Sequence, residues 1–133
     1  MIISMMGNQA TIEIPAGRYW FGDPCYALSD ARYAGVLVKG YTPVRHLDGL
    51  GGYGLIGETK QGDGRFKSRR GEHEFPVDSG QLSILHEGMI DADTSDGLYV
   101  DLPKSTEVTF QNGFFKIGDV LLVDTDEQED PRF

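Results

Sequence analysis

What this chain has little of narrows its reading first. Among its 133 residues cysteine occurs once, so no disulfide can close within the chain, and a reducing compartment is the setting that fits. Long apolar runs are missing. The stretch Met1–Met6 is apolar, but it has no basic flank and Gly7-Asn8-Gln9 ends it, so it reads as neither a signal peptide nor a membrane span. Cations are scarce too: 12 Lys and Arg against 21 Asp and Glu give a net charge of −9. That balance disfavours direct binding to nucleic acid or to an anionic membrane, whose phosphates reward positive surface. It suits solubility or a basic partner.

What is abundant is glycine, with 18 residues spread as turn punctuation, a pattern of many short strands rather than long helices. Thr11–Ile14 alternates apolar and polar, and Pro15-Ala16-Gly17 predicts a hairpin into Arg18–Phe21. Ser29-Asp30 can cap a short helix over Ala31–Ala34. Gly40–Gly54 reads as a loose surface loop, and strand pattern resumes from Tyr53 to about Thr59. Gly62-Asp63-Gly64 predicts a hairpin into Arg65–Ser68, and Arg69-Arg70-Gly71 a second one into Glu72–Val77. Gln81–Leu85 and Leu98–Leu102 follow as strands. The clearest signal is the meander of Thr106–Gln111, Phe114–Ile117 and Val120–Val123, turned by Asn112-Gly113 and Gly118-Asp119. The expectation is a mostly antiparallel all-β fold, a compact sandwich or partly closed barrel with one or two short helices at most. It occupies residues 1–123 as a single domain, and a frayed acidic tail over 124–133 follows, five acids falling within Asp124–Asp130.

The densest chemistry lies in Arg18–Leu28. Aromatic Tyr19, Trp20 and Phe21 are cut short by Gly22-Asp23-Pro24, and Cys25-Tyr26 follows. Together with Gly62-Asp63-Gly64 and Val77-Asp78-Ser79-Gly80, the segment Gly22-Asp23-Pro24-Cys25-Tyr26 resembles a family of small, largely uncharacterised phage and bacterial proteins. The resemblance covers about residues 17 to 86 and rests on those three motifs. It implies a phage or bacterial origin and no established reaction. Where the family continues with an aromatic and an acidic residue after Gly-Asp-Gly, this chain has Arg65-Phe66-Lys67-Ser68-Arg69-Arg70.

Several residues compete for a chemical role. Cys25 could act as a nucleophile if His46, His73 or His86 lay beside it in space, and an Asp23/Asp78 pair could serve as acid and base. Against these stand a cysteine used as a small core hydrophobe and aspartates used as turn residues accepting from the backbone just beyond. Asp91, Asp93 and Asp96 fail as a calcium loop, because its sixth and twelfth positions are Asp96 and Leu102 rather than Gly and Glu. Gly49-Leu50-Gly51-Gly52-Tyr53-Gly54 matches a dinucleotide fingerprint in letters only, since strand pattern and not a helix follows it. Arg65, Lys67, Arg69 and Arg70, with His73 nearby, form the basic cluster of an acidic protein and suit a phosphate or a carboxylate-rich partner.

The reading is therefore a cytoplasmic, non-enzymatic binding protein, in the host cytoplasm if phage-encoded, with no metal or cofactor. Its ligand is a protein partner or a small anion, and one form of that role is a phage inhibitor of a host defence component. The rival is a small hydrolase using Cys25 with a histidine, or Asp23/Asp78. Self-association through the apolar last strand is a third role.

Overall fold

The computed structural model describes residues 2–6, 9–31, 33, 44–49, 52–60, 64–68, 74–92, 97–111, 113–118 and 120–128. They form a mostly antiparallel all-β sandwich. Its strands are β1 (Ile2–Met6), β2 (Gln9–Ile14), β3 (Gly17–Gly22), β4 (Val44–Gly49), β5 (Gly52–Glu58), β6 (Gly64–Ser68), β7 (Glu74–Val77), β8 (Gln81–His86), β9 (Leu98–Leu102), β10 (Thr106–Gln111), β11 (Phe114–Ile117) and β12 (Val120–Gln128). One sheet has seven strands in the order β1-β2-β10-β11-β12-β6-β7, the other five in the order β4-β5-β8-β3-β9. A one-turn helix α1 (Pro24–Ala27) follows β3, and a single 3-10 turn (Glu87–Met89) follows β8. Among the described residues no helix is long and apolar enough to cross a membrane.

Alternation along the strands builds two cores. Ile12 and Ile14 of β2, Val108 and Phe110 of β10 and Phe115 of β11 meet Tyr19 and Phe21 of β3 and Leu82 and Ile84 of β8 between the sheets. Phe21 packs edge-on against Phe75 and Phe115, with ring centroids 5.0 and 5.1 Å apart. The other face of the five-stranded sheet carries a second cluster of Trp20, Ile56 and Leu85, covered by Ala27, Leu28 and Met89. The five-stranded sheet is thus buried on both faces, which is why Tyr19, Trp20 and Phe21 are all fully buried in succession. Trp20 fits because two residues beside it have no side chain: a Cβ on Gly97 would lie 2.1 Å from the indole and one on Gly22 2.5 Å from it.

The C-terminal meander is present as expected: β10 pairs with β11 and β11 with β12, and Gly113 (φ +83°) and Gly118 (φ +58°) take the left-handed turn positions. The β6–β7 hairpin is present too. Other expectations are corrected. β2 and β3 are no hairpin: β2 pairs with β1 and β10, β3 with β8 and β9, so the chain crosses between sheets at Pro15 and Ala16. Both strands bury large residues in the same core from opposite sides, and the Tyr19 hydroxyl donates to the Pro15 carbonyl at 2.9 Å across the bend. β5 and β6 likewise belong to different sheets, so the expected Gly-Asp-Gly hairpin does not form; residues 61–63 lie outside the description.

The segment expected as a loose loop over 40–54 contains β4 and most of β5, with Gly49 opposite Gly52; residues 40–43, 50 and 51 lie outside the description. Glycine serves close packing there, because a Cβ on Gly54 would meet the Ile84 carbonyl at 2.9 Å. The helix expected over 31–34 begins earlier: Asp30, Ala31 and Tyr33 are helical, and the Tyr33 N–H donates to the Ser29 carbonyl at 2.8 Å. Residues 32 and 34 lie outside the description. The tail expected to fray from Asp124 instead continues β12 to Gln128, which pairs with Phe66; residues 129–133 lie outside the description. β12 also lies inside its sheet, between β11 and β6, so it is no free edge for self-association.

Candidate functional site

The aromatic strand β3 ends at Gly22, and the next residue decides the local structure. Asp23 takes extended backbone angles (φ −72°, ψ 122°) and caps α1, while Pro24 fills the first helical position, where a missing N–H costs nothing. The cap is a carboxylate with no exposed surface, and each of its oxygens is engaged twice. Oδ1 accepts from the Cys25 N–H at 2.9 Å and from the Ser79 hydroxyl at 2.7 Å. Oδ2 accepts from the N–H groups of Asp78 and Ser79 at 2.8 and 2.9 Å. Asp78, Ser79 and Gly80 are the bend that carries the chain from β7 in one sheet to β8 in the other, Gly80 standing at φ +72°. One buried charge therefore joins two corners of the sandwich, its desolvation offset by four charge-assisted hydrogen bonds.

Further contacts close the same junction. The Ser83 hydroxyl donates to the Gly22 carbonyl at 2.9 Å in the interior, and the Tyr26 hydroxyl donates to the Asp78 carboxylate. Burial first, and then that bond and the charge of Asp78, raise the Tyr26 phenol well above its ordinary value. Burial also raises Glu58, which stands opposite Gln81 across the β5–β8 ladder. At the far end of α1, the Asp91 carboxylate accepts from the Ser29 N–H and hydroxyl, both at 2.6 Å. The N–H groups of Asp91 and Ala92 donate to the Ala27 carbonyl at 3.1 Å. α1 is held at both ends over the Trp20 cluster.

The structure brings some expected site residues together and keeps others apart. Asp23 and Asp78 do meet, but through the Asp78 backbone, and the acceptor positions of Asp23 are filled by four donors. Cys25 is half-buried in α1. His86 is not beside it: β3 pairs with β8 so that Gly22 faces Ser83 and Tyr19 faces His86, three residues or about 10 Å along the strand. His86 instead sets its ring edge-on to Tyr19 at 5.2 Å, and its Nδ1 accepts from the Gly88 N–H at 3.0 Å. His46 belongs to β4, three strands from β3. At His46, Arg65 and Lys67 the described part is the backbone, and Arg69, Arg70 and His73 lie outside the described residues. Among the described residues no group of three His, Cys, Asp or Glu could hold a metal ion.

The backbone of β6 places the first half of the basic cluster. Gly64, Arg65, Phe66 and Lys67 face Val77, Pro76, Phe75 and Glu74 of β7, the outermost strand of its sheet. Phe66 and Phe75 are fully buried, so positions 65 and 67 belong to the opposite, outer face. Sequence reasoning missed Ser79, Tyr26, Ser29 and Asp91 as junction residues. Ser79 and Tyr26 sat inside motifs already singled out, and Asp23 followed by Pro24 was itself a helix-start signal. Comparisons with family models, with curated proteins and with solved structures found no match for this chain.

Proposed function

We propose that this chain is a non-enzymatic binding protein of phage or bacterial origin, acting in the cytoplasm. Its binding surface is the β6–β7 hairpin, which takes a protein partner or a small anionic ligand, and its specific form is a phage inhibitor of a host defence component. The observation that carries this reading is the placement of Arg65 and Lys67. They fall on the outer face of a hairpin at a sheet margin, over a stem anchored by Phe66 and Phe75, in a chain whose net charge is −9. Clustered cations can engage phosphate or carboxylate groups through charge-assisted hydrogen bonds. Supporting it, the acids of the motifs are engaged in holding corners of the fold, Asp23 with four donors and Asp78 with Tyr26.

The test is a thermal-shift and calorimetric screen of nucleotides, beside a pull-down from host lysate, run on the native chain and on Arg65→Glu/Lys67→Glu. A ligand or partner held by the native chain and lost by the variant is the expected result. Equal binding by both places the surface elsewhere. Binding by neither form defeats the reading. Turnover of a bound ester or nucleotide that Cys25→Ser abolishes gives the answer to the hydrolase instead.

A further inference from the structure

The two sheets have four outer strands: β1, β7, β4 and β9. An outer strand presents unpaired backbone donors and acceptors, and proteins guard such edges with charge or proline. Three of the four are guarded in this way. β7 contains Glu74 and Pro76, β4 contains Arg45, His46 and Asp48, and β9 contains Asp101 with Pro103 just past its end. β1 has neither, and residues 2–9 contain no ionisable side chain at all. It also displays Ile3 and Met5, 52% and 41% exposed, the exposed large hydrophobic residues among those described. The irregularity of this strand, between Ile2 and Ser4, lies in its pairing with β2 and leaves Ser4 to Met6 in regular register.

We infer that β1 is a self-pairing edge, and that its occupant is β1 of a second copy of this chain. Two observations favour a second copy over an unrelated strand. At −9, two chains repel one another over most of their surface, and β1 is the edge where they can meet without opposing carboxylates. The regular part of the strand is also its own complement: antiparallel pairing about a two-fold axis at Met5 sets Met5 of one copy against Met5 of the other and Ser4 against Met6, with no charged residue on either side of the axis. The result is one continuous sheet across the dimer, with the seven-stranded sheets joined edge to edge.

Sedimentation equilibrium of the full chain tests this. The native protein is expected to approach twice its 14.7 kDa mass as concentration rises, and Ile3→Lys/Met5→Lys to remain at the chain mass. The two lysines lower the net charge from −9 to −7, so general repulsion alone predicts more association in the variant, and the edge pairing predicts less. An unchanged far-UV spectrum and Trp20 emission show that the variant still folds. A second measurement fixes the register: Met5→Cys in a Cys25→Ser background should oxidise to a covalent dimer, since cross-strand Cα spacings of about 4.5–5.5 Å suit a disulfide. The inference is overturned by a native chain that stays monomeric at the highest concentration it tolerates, by a lysine variant as dimeric as the native chain, or by a Met5→Cys chain that does not cross-link.

Discussion

At Asp23 a carboxylate with no exposed surface is held by three backbone N–H groups and one hydroxyl. Removing it strands those donors in the interior, where each unmet donor costs about 1–3 kcal/mol. Asp23→Ala is expected to lose about 3 kcal/mol or more in urea unfolding. Asp23→Asn turns one acceptor into a donor aimed at donors, and should cost about 2 kcal/mol. Ser79→Ala removes one bond and leaves the rest, for about 1 kcal/mol. Equal stability of native and Asp23→Asn chains would remove Asp23 from its role in the junction. Tyrosine offers a second test at this scale. Burial, with Tyr53 adding to it, pushes the Tyr19 phenol from near 10 up to about 12, and Tyr26 is raised further. Both protons are held more tightly in the folded chain, so this contribution to stability is full below about pH 10 and is lost as pH rises through about 12. Absorbance at 295 nm should show Tyr19 and Tyr26 ionising above the ordinary phenol range. Titration of all six tyrosines near pH 10 would contradict this placement.

Elements were legible where their signal is local. The Asn112-Gly113 turn and the alternation of Val108 and Phe110 announced the meander, because a left-handed turn and a half-buried strand are written in a few adjacent residues. The partners of β2 and β3 were not legible. Pro15-Ala16-Gly17 suits a hairpin and a sheet-to-sheet crossing alike, and the choice falls to the core, where Ile14 and Tyr19 enter from opposite sides. Glycine misled in the same way at Gly54, which closes the stretch read as a loop and is buried in β5 because its neighbours press close. The junction was half legible. Asp23 as a turn residue accepting from Cys25 follows from Asp before Pro, but its grip on Asp78 and Ser79 spans 55 and 56 positions and has no local signature. At this scale Gly97→Ala is informative. Its Cβ would overlap the indole of Trp20, so stability should fall by about 1–3 kcal/mol and Trp20 emission should shift. A neutral substitution would mean that Trp20 is not lodged against Gly97.

On the proposed function, structural and binding tasks are divided across the molecule. The segments around Asp23 and around Asp78-Ser79 pin the corners where the chain leaves β3 and changes sheets after β7, and α1 closes over Trp20 between them. The basic positions lie elsewhere, on the hairpin at the margin of the seven-stranded sheet, and the uncharged strand β1 lies at the opposite margin of that sheet. The acidic balance of the chain makes both margins distinctive. This division predicts that stability and recognition respond to different substitutions. The measurement that tests it most directly compares Asp23→Asn with Arg65→Glu/Lys67→Glu in one experiment, reading the urea midpoint and the capture of partner or ligand at a temperature where both variants stay folded. The account predicts a lowered midpoint with capture retained for Asp23→Asn, and an unchanged midpoint with capture lost for the hairpin variant. Capture lost by Asp23→Asn while its midpoint stays native would place function at the Asp23 corner and contradict it.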